Sequence, residues 1–295
     1  MSVIEIKNLC KYYGKSRGII DVNLKVEEKD FFGFIGANGA GKSTTIRILL
    51  GLIKQTSGSA TIFSKNIGSF QQEILTDIGY LPSEAVFYPN MKAKDVIKFS
   101  SDLRKKDCSD FSRILVERLK LDVNKKVEEL SFGNRKKLAI ITALQSKPKL
   151  LILDEPTSGL DPLIQHEFFD ILSEMNKAGT TIFMSSHILS EIQHHCNKAA
   201  IIYQGKIVAC DSVERLAKGN SKRVTITGNV DINRLQNVKD VKIEGKSISF
   251  LYQGNINNMI KQLADFDIAD INISEPDFEE IFMHYYMGGK ENDNI

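Results

Sequence analysis

One loop, Gly36-Ala37-Asn38-Gly39-Ala40-Gly41-Lys42-Ser43-Thr44, constrains this chain more than any other stretch. It fits G-x-x-x-x-G-K-[ST], the phosphate-binding P-loop. Glycines let the backbone curl until successive N–H groups point inward at phosphate oxygens. Lys42 then reaches the β- and γ-phosphates of a nucleoside triphosphate, and the Ser43 hydroxyl ligates Mg²⁺. The flanks agree. Phe31-Phe32-Gly33-Phe34-Ile35 reads as a buried strand entering the loop, and Ser43 to Leu50 as a helix leaving it, closed by Gly51. That helix aims its positive end at the phosphates.

The chain has 295 residues and a net charge of +2, which gives no electrostatic case for nucleic acid as a partner. Cys10, Cys108, Cys196 and Cys210 are scattered, without C-x-x-C, and read as reduced thiols in a cytosolic protein. His194-His195-Cys196 invites a metal reading, but adjacent helical residues point in different directions. Met1-Ser2-Val3-Ile4-Glu5 opens on a strand pattern rather than a signal peptide. No run approaches the ~20 apolar residues of a membrane helix. Work at a membrane would need a partner that spans it.

From Met1 to about Gly219, strand-like and helix-like segments alternate, the signature of an α/β domain. Residues 84–146 form a helical insert, with candidates at Asp95 to Lys105, Phe111 to Leu121 and Arg135 to Leu144. Strands return at Leu150 to Leu153, Thr181 to Ser185 and Ala199 to Tyr203, followed by a hairpin at Tyr203 to Ile207. Beyond residue 220 the texture changes. Strands at Arg223 to Thr227, Val238 to Glu244, Ser247 to Tyr252 and Ile268 to Ile273 join a helix at Asn257 to Ala264 and a short turn at Asp231 to Leu235. The order is that of a split-βαβ unit, βαββαβ, closed by a helix at Asp277 to Tyr286 and a frayed tail from Gly288 to Ile295. The expected domains are thus 1–220 and 221–295.

Leu150-Leu151-Ile152-Leu153-Asp154-Glu155 is an apolar run ending in acids. Such a run is a central parallel strand, and ligands bind at the carboxyl ends of these strands. Asp154 would hold Mg²⁺, through water. Glu155 would face the γ-phosphate as a general base that polarises the attacking water. Alone, the run could be a strand ending in a solvated acidic turn; a P-loop upstream argues against that.

Glu129-Leu130-Ser131-Phe132-Gly133-Asn134-Arg135 precedes a long helix, Ser158-Gly159-Leu160-Asp161 follows the acidic strand, and His187 ends the next one. With the P-loop, this ordered set resembles the ATP-binding cassette (ABC) family over residues 1–219: P-loop, signature, acidic strand, D-loop and switch histidine. Ile78-Gly79-Tyr80-Leu81-Pro82, the signature and the C-terminal extension are similar to the ATP-binding subunits of bacterial drug- and peptide-export transporters. The resemblance implies a P-loop NTPase core with an antiparallel β subdomain and a helical subdomain, plus a small α+β C-terminal domain. It implies ATP and Mg²⁺ as cofactors. Its site is Gly36, Asn38, Gly39, Gly41, Lys42, Ser43 and Thr44, with Tyr13 stacking on adenine. Ser131 and Gly133 would bind the γ-phosphate held by an opposite subunit, Asp161 would sit across the dimer seam, and Glu155, His187 and Lys42 would be catalytic. The implied partners are a membrane-spanning permease subunit and a second ATP-binding subunit, identical or similar. The chain would lie peripherally on the cytoplasmic face of the membrane, with Phe87, Tyr88 and Met91 as apolar contacts to the permease.

Two departures stand out. Phe132 replaces a usual signature glycine, and Asn134 the terminal glutamine. After Leu81-Pro82 the family has a glutamine that contacts Mg²⁺ and water; this chain has Ser83, then Glu84. A bridging water at Ser83, or the Glu84 carboxylate, could fill that space; alternatively Ser83 only turns the chain. Competing readings are a soluble ABC ATPase of ribosomes or cofactor assembly, a chromosome-maintenance ATPase, and a regulatory module without transport. Ribosome-acting relatives usually carry two cassettes in one chain, and no long heptad insertion separates the motifs here.

Overall fold

Strands covered on both faces are continuously apolar. Phe31–Ile35 is such a strand, with every residue buried between two parallel neighbours. The computed structural model describes residues 1–217, 221–245, 247–264 and 266–274. Its elements begin with β1 (Ser2–Tyr13), β2 (Ser16–Glu27), β3 (Phe31–Ile35), α1 (Lys42–Leu49), β4 (Ser57–Ile62), β5 (Lys65–Asn66), α2 (Gln71–Thr76) and β6 (Ile78–Leu81). There follow α3 (Ala93–Leu103), α4 (Ser109–Arg118), α5 (Phe132–Leu144), β7 (Leu150–Asp154), α6 (Pro162–Lys177), β8 (Thr181–Ser186), α7 (Leu189–His195), β9 (Lys198–Tyr203) and β10 (Lys206–Ser212). The rest are α8 (Val213–Ala217), β11 (Ser221–Asn229), β12 (Val238–Glu244), β13 (Ser247–Gln253), α9 (Ile256–Leu263) and β14 (Asp267–Ser274). The expected helix at Asp277 to Tyr286 and the tail lie outside the described residues.

The chain divides into two compact units, Met1–Asp211 and Ser212–Ile295. This division falls ahead of α8, nine residues before the seam expected at 220/221.

In the first unit, β2-β1-β4-β5 make an antiparallel sheet, and a six-stranded sheet runs β10-β9-β3-β8-β7-β6. Pairs β6–β7, β7–β8, β3–β8 and β3–β9 are parallel. Their carboxyl ends therefore share one edge, where the P-loop, Asp154-Glu155, Ser186-His187 and Pro82-Ser83 emerge together. Ile4, Ile6, Leu9, Ile46, Leu49, Phe34 and Phe183 belong to one apolar core that includes residues of both sheets and α1. Phe32 and Phe183 stack within it at 5.8 Å. The helical insert packs α5 against α3, α4 and β6.

In the second unit, β12-β13-β11-β14 form an antiparallel sheet. Val224, Ile226, Phe250 and Tyr252 share its core with Met259 and Leu263 of α9. The turn at Ile232–Arg234 is a single 3-10 turn. The four strands and α9 fall in the order expected of βαββαβ, with that 3-10 turn in place of the first helix.

Candidate functional site

The P-loop leaves β3 and enters α1 at Lys42. Gly41 has φ +116, a left-handed conformation that glycine alone adopts cheaply, and a Cβ there would lie 2.7 Å from Ile19 Cγ2. Asn38 and Gly39 are exposed at the loop crest, Gly36 is buried, and Ser43 and Thr44 are half-buried. The first amides of α1 have no intrahelical partner, so the loop presents donors to an anion.

The Lys42 side chain is buried and turned back into the loop. Its Nζ donates to the Gly36 carbonyl at 2.7 Å and the Ala37 carbonyl at 3.3 Å. It also stands 3.3 Å from Glu155 Oε1. His187 Nδ1 lies 3.3 Å from that same oxygen. Three motifs far apart in sequence thus converge on one carboxylate oxygen.

Glu155 reaches this position through its backbone, which has φ +47. Left-handed conformations of this kind cost a non-glycine residue about 1–3 kcal/mol and persist where surroundings over-determine them. Here Glu155 N donates to the Ser185 carbonyl and is 3.2 Å from Ser185 Oγ.

Asp154, the last residue of β7, is 2% exposed. Its carboxylate accepts from Ser185 Oγ at 2.6 Å. Burial raises the pKa of nearby Tyr80, and the Asp154 charge raises it further. The buried Asp154 carboxylate and the Ser43 hydroxyl are hard oxygen donors of the kind that Mg²⁺ favours, and that ion usually keeps several waters as well. Among the described residues, no cluster of His, Cys, Asp and Glu is built to hold a metal unaided.

Tyr13 is exposed at the end of β1, with Lys11 Nζ 5.2 Å from its ring centroid. Gly18 lies against both this ring and the P-loop: a Cβ on it would stand 3.0 Å from Tyr13 Cε2 and 3.2 Å from Thr44 Cγ2. The ring, 47% exposed, therefore stands beside the loop.

Ser131 caps α5, its Oγ accepting from Asn134 N at 3.3 Å. Phe132 is 49% exposed, yet its ring covers Gly159, where φ is +78 and a Cβ would come within 2.1 Å of it. A Cβ on Gly133 would lie 2.9 Å from the Gly159 carbonyl. Signature and D-loop thus pack directly together. Asp161 caps α6, its Oδ1 accepting from Ile164 N at 3.0 Å. Among the described residues, no hydrogen bond or ion pair joins Ser131, Gly133 or Asp161 to the Lys42–Glu155–His187 group.

Ser83 is half-buried and Glu84 exposed. The polar partner near Ser83 is one that sequence reasoning missed. Lys136 of α5 is 3% exposed, and its Nζ donates to the carbonyls of Pro82 (3.2 Å), Ser83 (3.0 Å) and Glu155 (3.1 Å). Burial pulls its ammonium down to about 8, while the Asp154 and Glu155 charges partly oppose that. Arg135-Lys136-Lys137 looks like a solvated charge run; the usable signal is spacing, since Lys136, Ile140 and Leu144 share one helical face. Glu191 was missed too. It is buried on α7 and accepts from Thr157 Oγ1 at 2.5 Å and Ser186 Oγ at 2.7 Å, so it ties the segment after Glu155 to the residue before His187.

The His194-His195-Cys196 stretch has another explanation. His195 stacks on Phe169 at 3.7 Å with its pKa lowered by burial, and Cys196 is buried with its thiol pushed up by the same cause. In the insert, Val86 (93% exposed) and Tyr88 (69%) project outward, whereas Phe87 and Met91 are half-buried. Two backbone bonds pin this stretch to a 3-10 turn, Val127 N to Met91 O and Glu128 N to Pro89 O. Val86 is the apolar side chain that sequence reading passed over. No described helix is long and apolar enough to cross a membrane.

Comparison with known proteins adds lineage to this geometry. A family model described as ABC transporter matches residues 19–158. The bacitracin transport ATP-binding protein of Bacillus licheniformis is 34% identical over 303 aligned positions, covering 98% of each chain. The lantibiotic transport ATP-binding protein of Streptococcus pyogenes is 37% identical over 207 positions, covering 70% of this chain and 89% of that one. A solved structure of an ATP-binding subunit of an ABC transporter superposes with a TM-score of 0.69 at 26% identity, covering 72% of this chain and 91% of its own.

Proposed function

Because this chain belongs to the ABC transporter family and is an ATPase of that family, we propose that it powers a membrane exporter of an antibiotic, drug or peptide. The observation that carries the reading is the convergence of Lys42 and His187 on Glu155 Oε1, each at 3.3 Å, beside a P-loop. Two relatives named for bacitracin and lantibiotic transport support the cargo class.

ATP enters against the Tyr13 face, and its phosphates displace the Lys42 ammonium from the Gly36 and Ala37 carbonyls. Glu155 then loses its lysine partner and is free to accept a proton from the attacking water. His187 retains its hold on the Glu155 side of the site. Ser43 and Asp154 would hold Mg²⁺, which supplies charge neutralisation at the phosphates. Ser83 stays a candidate for a water-bridged contact to that ion. Ser131 and Gly133 serve the ATP of a second subunit, identical or similar, and Asp161 lies at that seam. The chain works on the cytoplasmic face of the membrane against a permease subunit, with Val86 and Tyr88 offered as contacts.

The test is a tagged full chain expressed in its host. It should sediment with membranes, co-purify with a membrane-spanning protein, and raise tolerance to bacitracin or a lantibiotic. Tolerance should vanish with Glu155→Gln. A chain recovered only in the soluble fraction, with tolerance unaffected by that variant, would remove export from the reading.

A further inference from the structure

A lysine sits where three nucleotide-handling segments meet, and none of the roles above uses it. Lys136 belongs to α5, the helix that Ser131 caps. Its ammonium reaches under the strand edge and donates all three of its protons to carbonyls, of Pro82 and Ser83 after β6 and of Glu155 after β7. An ammonium has three donors, so its hydrogen-bonding capacity is filled. Each acceptor is an unusual place to invest a buried charge. The Glu155 carbonyl belongs to a residue at φ +47, a conformation that needs external support. The Ser83 carbonyl belongs to the position where a long side chain is missing and a serine cannot reach far.

We propose that Lys136 is a positioning residue that fixes the strained Glu155 backbone and anchors the loop at Ser83, so that the catalytic carboxylate and the start of the signature helix move as one piece. This rests on the ATPase reading above. The geometry explains why a charge is used. A neutral amide offers two donors and could satisfy two carbonyls at most, leaving the third buried and unpaired. It also answers the missing glutamine differently from a metal contact: the loop is held by its backbone, from the protein side, and its side chain need not hold it. Lys136 touches neither Lys42 nor the P-loop carbonyls, which have their own partners. Its loss should therefore affect turnover and spare nucleotide binding.

The experiment measures ATP affinity, kcat and KM for the wild-type chain, Lys136→Met and Lys136→Gln, with thermal midpoints alongside. Displacing a reacting group by about 1 Å can cost ~10²-fold in rate, so Lys136→Met should lose roughly that in kcat while its affinity for ATP stays within about threefold. Lys136→Gln keeps two donors and should recover part of the loss, to within roughly tenfold of wild type. It also decides the matter if the methionine variant does not fold. Wild-type kcat in the glutamine variant together with wild-type or unmeasurable kcat in the methionine variant would overturn the proposal. So would parallel losses of ATP affinity and kcat in both variants, the mark of a general structural role. A wild-type chain that binds ATP without hydrolysing it would instead sink the ATPase reading, and this proposal with it.

Discussion

The six-stranded sheet of the first unit and the four-stranded sheet of the second differ in strand direction and in burial. The six-stranded sheet is parallel through its centre, and β3, β7 and β8 are buried along their whole length. Such strands cannot carry chemistry in their middles; it collects where they end, and parallel order puts those ends on one side. The sheet of the second unit is antiparallel throughout. Its strand ends alternate between opposite edges, so no comparable edge forms. Its charged residues pair locally instead, as Arg223 does with Asp240 at 2.6 Å. Strand direction, more than composition, decides which unit can hold a nucleotide.

The largest effect should come from the shared edge. Glu155→Gln removes the proposed general base, a role worth about 10²–10⁴ in rate, and leaves the cradle of Lys42 and Ser43 intact. Phosphate release should collapse while ATP binding persists; near-normal turnover would take Glu155 out of the catalytic role. The matching cut in the other sheet is Phe250→Ala. It should cost about 3–5 kcal/mol of stability in that unit, read by urea unfolding, because a fully buried ring is lost. ATP affinity should hardly change, and a large drop would join the two units functionally.

Ser185→Ala is a finer probe. It strips the buried Asp154 carboxylate of a 2.6 Å hydrogen bond. Breaking a bond to a buried charge costs about 1–3 kcal/mol, so the unfolding midpoint of the first unit should fall correspondingly. An unchanged midpoint would mean that Asp154 finds another donor. The smallest effect is expected from a chain ending at Ala217. It keeps β1 to β10 and should bind ATP as the full chain does, measured by equilibrium dialysis. Loss of binding would show that the first unit needs the second.

Contiguous signals made the candidate nucleotide site legible. The P-loop and Leu150–Asp154 each state both an element and its chemistry within a few residues, and the second sheet announced itself through short alternating runs. Lys136 was hidden because its function depends on carbonyls at positions 82, 83 and 155, which sequence distance conceals and which carry no side-chain identity. Glu191 was hidden likewise, since its partners Thr157 and Ser186 come from different strand ends. Val86 was passed over for the larger Phe87, although turn geometry, not size, sets which of the two faces out. What local pattern dictates can be read; what depends on the meeting of strand ends cannot.

The central claim is that each ATP site takes its P-loop from one copy and its signature from another. Mixing two inactive full-length variants, Lys42→Ala and Ser131→Arg, tests it directly through phosphate release. A mixed pair holds one intact site, made of the Lys42 of one chain and the Ser131 of the other. Random pairing in a two-fold dimer then restores about a quarter of wild-type activity. A mixture as inactive as either variant alone, beside a working wild type, would contradict the shared site.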